Sequence, residues 1–231
     1  MTTKRLRFQA TNSSGEVSAL YHGPAAPSAL FVLAHGAGAG MEHPFLEAVA
    51  HELAGRGIAT FRYQFPYMEA GNKRPNPPAI LAKTVRNAVA AAAALPEVKG
   101  AGIPIFAGGK SMGGRMTSTA FAREPIEGVR GIIFLGFPLH APGRDSADRA
   151  EHLYDVDCPM LFLQGTRDRL ANLDLLGPVI EKLGRKASLH IIESGDHSFH
   201  VLKRSGRTDE EARAELVEAL CVWVERTRTE L

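Results

Sequence analysis

The stretch Gly109-Lys110-Ser111-Met112-Gly113 constrains the fold of this chain more than any other. It follows a short apolar run (Ile103, Ile105, Phe106, Ala107) and precedes a helix-compatible segment from Met116 to Ala122 that stops before Pro125. The serine is therefore predicted to sit at a strand-to-helix turn. A serine held in so sharp a turn needs glycine two positions to either side, because a Cβ there would strike the adjacent strand or helix. Gly109 and Gly113 meet that need, and Gly108 and Gly114 are expected to add slack. Gly109-Lys110-Ser111 also satisfies the last positions of a phosphate-binding loop. That pattern requires a glycine five residues before Gly109, where the chain has Pro104. A purely structural serine is the other competitor, and the rest of the chain decides against it.

At 231 residues with 45% hydrophobic content, the chain suits one α/β domain over 1–231 and leaves little room for a second. The net charge of +2 is mild and its basic residues are dispersed, so nucleic acid is not an expected partner. Cys158 and Cys221 lack metal-ligand spacing and are expected to be buried small hydrophobes in a reducing compartment. The first ten residues are polar and basic, and no apolar run approaches membrane-spanning length, so a cytoplasmic location without a membrane partner is expected. The nine histidines are scattered, so neither a metal nor a cofactor is expected.

Residues 4–9 and Val17 to Tyr21, separated by Asn12-Ser13-Ser14-Gly15, are expected to form a leading antiparallel hairpin. Ala29 to Ala34 is a continuous apolar run, as for a strand covered on both faces, and it ends in His35-Gly36-Ala37-Gly38-Ala39-Gly40. Pro44 opens a helix with Phe45, Val49 and Leu53 on one face, and Ile58 to Phe61 is the next strand. Arg62 to Pro78 is expected to be a long surface loop lining the site, followed by a helix from about Ala79 to Leu95. After Gly131 to Leu135, another buried strand, Gly136 to Asp157 is an irregular excursion with a short helix around Asp148 to Leu153, too short for a cap domain. An open, shallow site is expected. Met160 to Leu163 leads into Gln164-Gly165-Thr166-Arg167-Asp168-Arg169, and Ser188 to Ile192 leads into Glu193-Ser194-Gly195-Asp196-His197. Gly177-Pro178 predicts two short helices or a kink within Asn172 to Leu183. Thr208 with Glu211 makes a capping box for a last helix with Leu216, Leu220 and Val224 facing inwards.

Acyl transfer by serine requires a base, an acid to orient that base, and donors for the developing oxyanion. Ser111 is the candidate nucleophile, His197 the base and Asp168 the orienting carboxylate, each at a strand end and in the order Ser, Asp, His. Asp174 rivals Asp168, His200 and His35 rival His197, and Asp196 is a further carboxylate beside the histidine. The main-chain N–H of Met112 and that of Ala37 or Gly38 are the candidate oxyanion donors, with no choice between the last two. His35, Lys110, Arg115 and Arg62 are candidate substrate contacts. For His35 a hydrogen bond within its own loop competes, and for Lys110 and Arg115 salt bridges to surface carboxylates do.

Five segments carry a family resemblance: His35-Gly36-Ala37-Gly38, Arg62-Tyr63-Gln64-Phe65-Pro66-Tyr67, Gly109 to Arg115, Gln164 to Asp168 and Gly195 to Phe199. On these the chain resembles the small, lidless, dienelactone-hydrolase-like α/β-hydrolases and, more narrowly, the testis-expressed protein 30 family, itself similar to the hydrolase-like domain of a non-specific-lethal complex subunit. The resemblance implies the α/β-hydrolase fold: a three-layer αβα sandwich with a mostly parallel sheet of about seven or eight strands and no large lid. It implies a serine hydrolase acting on a small-molecule ester or thioester, as a monomer or small homo-oligomer. The alternative is a non-catalytic interaction module in a protein complex. Dienelactone hydrolase itself has a cysteine where this chain has Ser111, so that particular activity is not implied.

Overall fold

The run Ala29–Ala34 is apolar at every position because both of its faces are covered. Leu30, Val32 and Ala34 belong to one core cluster while Ala29, Phe31 and Leu33 belong to another, as the period of two along a strand requires. The computed structural model describes residues 1–229. Its elements are β1 (Thr2–Thr11), β2 (Gly15–Gly23), β3 (Ala29–Ala34), α1 (Pro44–Gly55), β4 (Ile58–Tyr63), α2 (Pro66–Glu69), α3 (Pro78–Ala93), α4 (Pro96–Lys99), β5 (Ile105–Lys110), α5 (Met112–Arg123), β6 (Val129–Leu135), β7 (Met160–Gly165), α6 (Leu173–Leu183), β8 (Ala187–Ile192) and α7 (Asp209–Thr229).

The strands form one sheet in the order β1-β2-β4-β3-β5-β6-β7-β8. Pairing is antiparallel from β1 to β2 and from β2 to β4, and parallel across the remainder. Helices α3, α5 and α6 cover one face, burying Leu81, Val85, Met116, Phe121 and Leu176 in the larger core. Helices α1 and α7 cover the other with Leu46, Val49, Leu53, Leu216, Leu220 and Trp223. This is the three-layer αβα arrangement, and the ends of β3, β5, β7 and β8 lie on one edge of it.

Most boundaries follow the sequence pattern, including the capping box, in which Thr208 Oγ1 accepts from Glu211 N–H and Glu211 Oε2 accepts from Thr208 N–H. Four expectations need correction. Helix α5 starts at Met112 rather than Met116, because the chain reverses within the single residue Ser111 (φ 51°, ψ −117°). Gly177-Pro178 neither splits nor ends α6, since its apolar face (Leu176, Val179, Leu183) is buried and only one intrahelical N–H is lost to the proline. The segment after Phe61 is not a surface loop at its start: β4 continues through Arg62 and Tyr63, and Phe65 and Tyr67 are buried. Finally, Gly108 and Gly114 are not slack. A Cβ on Gly108 would lie 1.9 Å from the Ile133 carbonyl oxygen, and one on Gly114 would lie 2.7 Å from that of Gly109.

Cys158 is buried, Cys221 is half-buried, and both are free thiols. Among the described residues no helix is long and apolar enough to cross a membrane.

Glycine's role therefore differs between sites, and substitution should show it. Gly108→Ala is expected to cost more than about 4 kcal/mol, enough to remove most folded protein. Gly177→Ala, with open space around a Cβ inside α6, is expected to stabilise by up to about 1 kcal/mol. Urea denaturation of the two variants beside wild type reads both signs.

Candidate active site

Ser111 occupies a backbone region that residues with a Cβ seldom adopt. The strain is imposed from both sides. Strand β5 enters between β3 and β6 so tightly that a Cβ on Gly109 would lie 2.2 Å from the Ala34 carbonyl oxygen. Helix α5 leaves so close to β3 that a Cβ on Gly113 would lie 2.6 Å from the His35 carbonyl oxygen. The turn is closed by Ser111 N–H donating to Leu135 O and Arg115 N–H donating to Ser111 O.

The loops after β7 and β8 are sewn together before either reaches the serine. Arg167 N–H donates to Gly195 O at 2.8 Å and Ser194 N–H to Thr166 Oγ1 at 2.8 Å. A Cβ on Gly165 would lie 2.2 Å from the Gly195 carbonyl oxygen, so this approach too requires glycine. The result places Asp168 Oδ2 2.7 Å from His197 Nδ1, and His197 Nε2 2.8 Å from Ser111 Oγ. Facing an acceptor-only carboxylate, Nδ1 carries the ring proton and Nε2 is left to accept from the serine hydroxyl. The Asp168 side chain is fully buried. It accepts further bonds from Leu170 N–H (2.7 Å) and Gln164 Nε2 (2.5 Å), so each oxygen is held in place.

The rivals are accounted for elsewhere. Asp196 accepts from Ser198 N–H and His200 N–H and so caps its own loop. His200 pairs with Asp209, and Asp174 lies in the first turn of α6. His35 is 0% exposed; its Nδ1 donates to Gly36 O (2.7 Å) and its Nε2 accepts from Phe65 N–H (3.1 Å). Burial lowers its pKa to about 4, against a smaller opposing effect of the Gly36 bond, and the imidazole is neutral at ordinary pH. A second serine–histidine contact, Ser118 Oγ to His152 Nε2 at 2.8 Å, lies beneath α5. Ser118 is fully buried and donates to Arg115 O, and Asp145 bonds Asn172 rather than His152. Without access or an orienting acid, that pair serves packing.

A cavity of about 410 Å³ opens over Ser111. Its apolar wall is Ala37, Phe45, Leu46 and Leu170; its polar wall is His43, Lys110, Ser111, His197 and Ser198. Of the four expected substrate contacts only Lys110 lines it. Arg62 is 3% exposed within β4 and donates from Nη1 to Met41 O, because the strand runs two residues further than its sequence pattern indicates. His35 faces the protein interior. Arg115, on α5, is half-buried; burial, and to a lesser extent the charge of Arg149, lowers its pKa, and it is not among the residues lining the cavity. Neither Lys110 nor Arg115 forms a surface salt bridge among the described residues: Lys110 Nζ instead donates to the His197 carbonyl at 2.5 Å.

Between Ala37 and Gly38 the structure discriminates. Gly38 N–H donates to Tyr67 Oη at 3.2 Å, whereas Ala37 and Met112 N–H have no protein acceptor among the described residues. Three contributions escaped the sequence pattern. Gln164 bridges Asp168 to Phe137 N–H, Tyr67 braces the glycine-rich loop, and Phe45 comes from the first turn of α1. A buried glutamine closing an apolar run was the one visible sign among them. Among the described residues no group of three or more His, Cys, Asp or Glu is placed to hold a metal ion.

The buried neutral His35 carries a pH signature. Because its folded pKa lies near 4, below the ordinary 6.5, its contribution is complete above about pH 6.5 and is lost as pH falls toward 4. Between pH 7 and pH 4, wild type is expected to lose on the order of 3 kcal/mol more stability than His35→Gln. Denaturant midpoints at the two pH values measure the difference.

The comparisons with known proteins agree with this architecture. A family model described as an alpha/beta hydrolase domain matches residues 27–225. The fold is similar to that of a dienelactone hydrolase from Anabaena variabilis (TM-score 0.73, 18% identity, 98% of this chain and 99% of that one). It is also similar to XC6422 from Xanthomonas campestris, an α/β serine hydrolase without a lid (0.73, 18%, 96% and 95%). A third likeness is to the esterase domain of a Rhodothermus marinus protein (0.66, 15%, 98% and 99%). At these identities the structures speak for the fold, and the family match covers most of the sequence: the chain belongs to the alpha/beta-hydrolase family, with a fold of the dienelactone-hydrolase kind.

Proposed function

We propose that the chain, acting as one domain over 1–231, is a serine hydrolase that cleaves ester or thioester bonds of small acyl substrates through an acyl-enzyme. The observation that carries this reading is the unbroken hydrogen-bonded series from Ser111 Oγ through His197 to the buried Asp168. His197 Nε2 takes the serine proton as Oγ attacks the acyl carbon, and Asp168 holds the imidazole in the tautomer that can do so. The main-chain N–H groups of Met112, next to the nucleophile, and of Ala37, in the cavity wall, have no acceptor among the described residues and stabilise the tetrahedral oxyanion. The protonated His197 then returns the proton to the departing alkoxide or thiolate. A water activated by the same imidazole releases the acid and regenerates Ser111.

The apolar wall of Phe45, Leu46 and Leu170 suits a short acyl or alkyl group. A non-catalytic module built on this fold would have no use for a strained serine aligned with a buried carboxylate. The similar structures, a dienelactone hydrolase, a serine hydrolase and the esterase domain of a Rhodothermus marinus protein, are consistent with ester cleavage.

Intact-protein mass after exposure to a fluorophosphonate tests the proposal without a substrate. Wild type should gain one adduct, lost in Ser111→Ala and in His197→Ala. Asp168→Asn should lower turnover of p-nitrophenyl acetate by about 10³- to 10⁴-fold. A folded wild type that stays unlabelled would give first place to the interaction module.

A further inference from the structure

The serine mechanism leaves unexplained a lysine in the wall of its own pocket. Lys110 is the last residue of β5, immediately before Ser111. Its stem runs past Gly36, where a Cβ would sit 3.5 Å from Lys110 Cγ, and its ammonium abuts Gly136, where a Cβ would come within 3.2 Å of Nζ. The ammonium also lies 5.6 Å from the centroid of the Phe199 ring. Its one hydrogen bond among the described residues goes to the main-chain carbonyl of His197. Asp168 and Asp196 are the anionic groups that face it, and neither forms an ion pair with it; His197 is the other titratable neighbour. Burial outweighs those two carboxylates and lowers the lysine pKa to about 8. For stability alone, an apolar side chain of similar length would serve as well or better.

What the ammonium holds is a loop under strain. Phe199 has φ 63°, a region that a bulky residue seldom occupies. Its ring stacks on Phe45 at 5.6 Å and 16°, and Lys110 lies on the same ring. Asp196 ties the loop to itself; besides the His197–Ser111 bond, Lys110 connects it to the end of the strand that precedes the serine.

We propose that Lys110 is a positioning residue: by donating to the His197 carbonyl it ties the end of β5 to the base loop and fixes the Ser111–His197 separation. The proposal rests on the serine-hydrolase reading. The bond is charge-assisted, and loss of the proton leaves a weaker neutral donor. The alignment is therefore strongest while the lysine is charged and relaxes as pH rises through about 8.

The test uses the full chain as wild type, Lys110→Arg and Lys110→Met, with Ser111→Ala as the blank. Rates of fluorophosphonate labelling, and kcat and KM for p-nitrophenyl acetate, are measured from about pH 6 to about pH 10. Wild type is expected to lose rate above about pH 8. Lys110→Arg should hold its rate to higher pH, because guanidinium stays charged. Lys110→Met should lose about 10²-fold in kcat and in labelling, change KM by less than about 3-fold, and show no alkaline step. A Lys110→Met protein with wild-type rates and a wild-type pH profile overturns the proposal while leaving the hydrolase reading intact. If Lys110→Met does not fold by circular dichroism, wild type and Lys110→Arg decide, and an identical alkaline midpoint in both overturns it. A folded wild type that takes no label removes the hydrolase reading, and this proposal with it.

Discussion

The closeness with which β5 and α5 approach their neighbours governs the rest of this molecule. Main-chain atoms of β3 and β6 occupy the space where side chains at 108, 109 and 113 would begin. That contact leaves the chain one way to turn, through a single residue with positive φ, and so pushes the Ser111 side chain out at the edge of the sheet. The cost of such a conformation, of order 1 to 3 kcal/mol, is offset by the paired strands and buried faces on both sides. A strained residue persists only where its surroundings leave it no alternative.

Around that point the chain uses main-chain geometry for placement and buried polar side chains for fixation. The segment Arg62 to Tyr67 shows the division. It does not line the pocket but supports the glycine-rich loop from below: Arg62 holds the Met41 carbonyl, Gln64 the Met41 N–H, Tyr67 the Gly38 N–H, and Phe65 donates to His35. Each bond removes one degree of freedom from a loop whose glycines would otherwise leave it mobile. The bonding of Gly38 to Tyr67 also distinguishes the two adjacent N–H groups, since that of Ala37 has no acceptor among the described residues.

Satisfaction of buried polar groups is a second theme. His35 is buried and uncharged, Asp168 accepts from His197 Nδ1, Gln164 Nε2 and Leu170 N–H, and Gln164 links the carboxylate to the chain just after β6. Among the described residues Lys110 is the one Lys, Arg, Asp or Glu that lines the pocket. The excursion after β6 holds the 3-10 stretch Asp148–Asp155, and among the described residues no cap domain covers the cavity, whose apolar wall is formed by Ala37, Phe45, Leu46 and Leu170.

Local chemistry made much of this legible in the sequence. The glycines around Ser111, the apolar runs of β3, β6 and β7, the capping box at Thr208 and the placement of Asp168 and His197 at strand ends depend on neighbours within a few residues, and the structure brings Ser111, His197 and Asp168 together. What sequence could not provide were contacts between segments far apart along the chain. Arg62 was expected at the substrate and is buried, because burial depends on which strand or helix packs above it; for His35 the structure decides between the two competing readings in favour of the bond within its own loop, to Gly36 O. Gly108 and Gly114 were expected to be slack, because the Ile133 carbonyl and the Phe134 ring that their side chains would meet belong to β6. The choice of Ala37 over Gly38 depends on a tyrosine hydroxyl from a different loop, and the bond from Lys110 to the His197 carbonyl spans 87 residues. The sequence by itself determined where backbone must turn and which chemistry stands at each turn; only the tertiary structure decided which polar atoms are spent on holding loops and which remain free to face a substrate, since that depends on desolvation and on partners brought close by the fold.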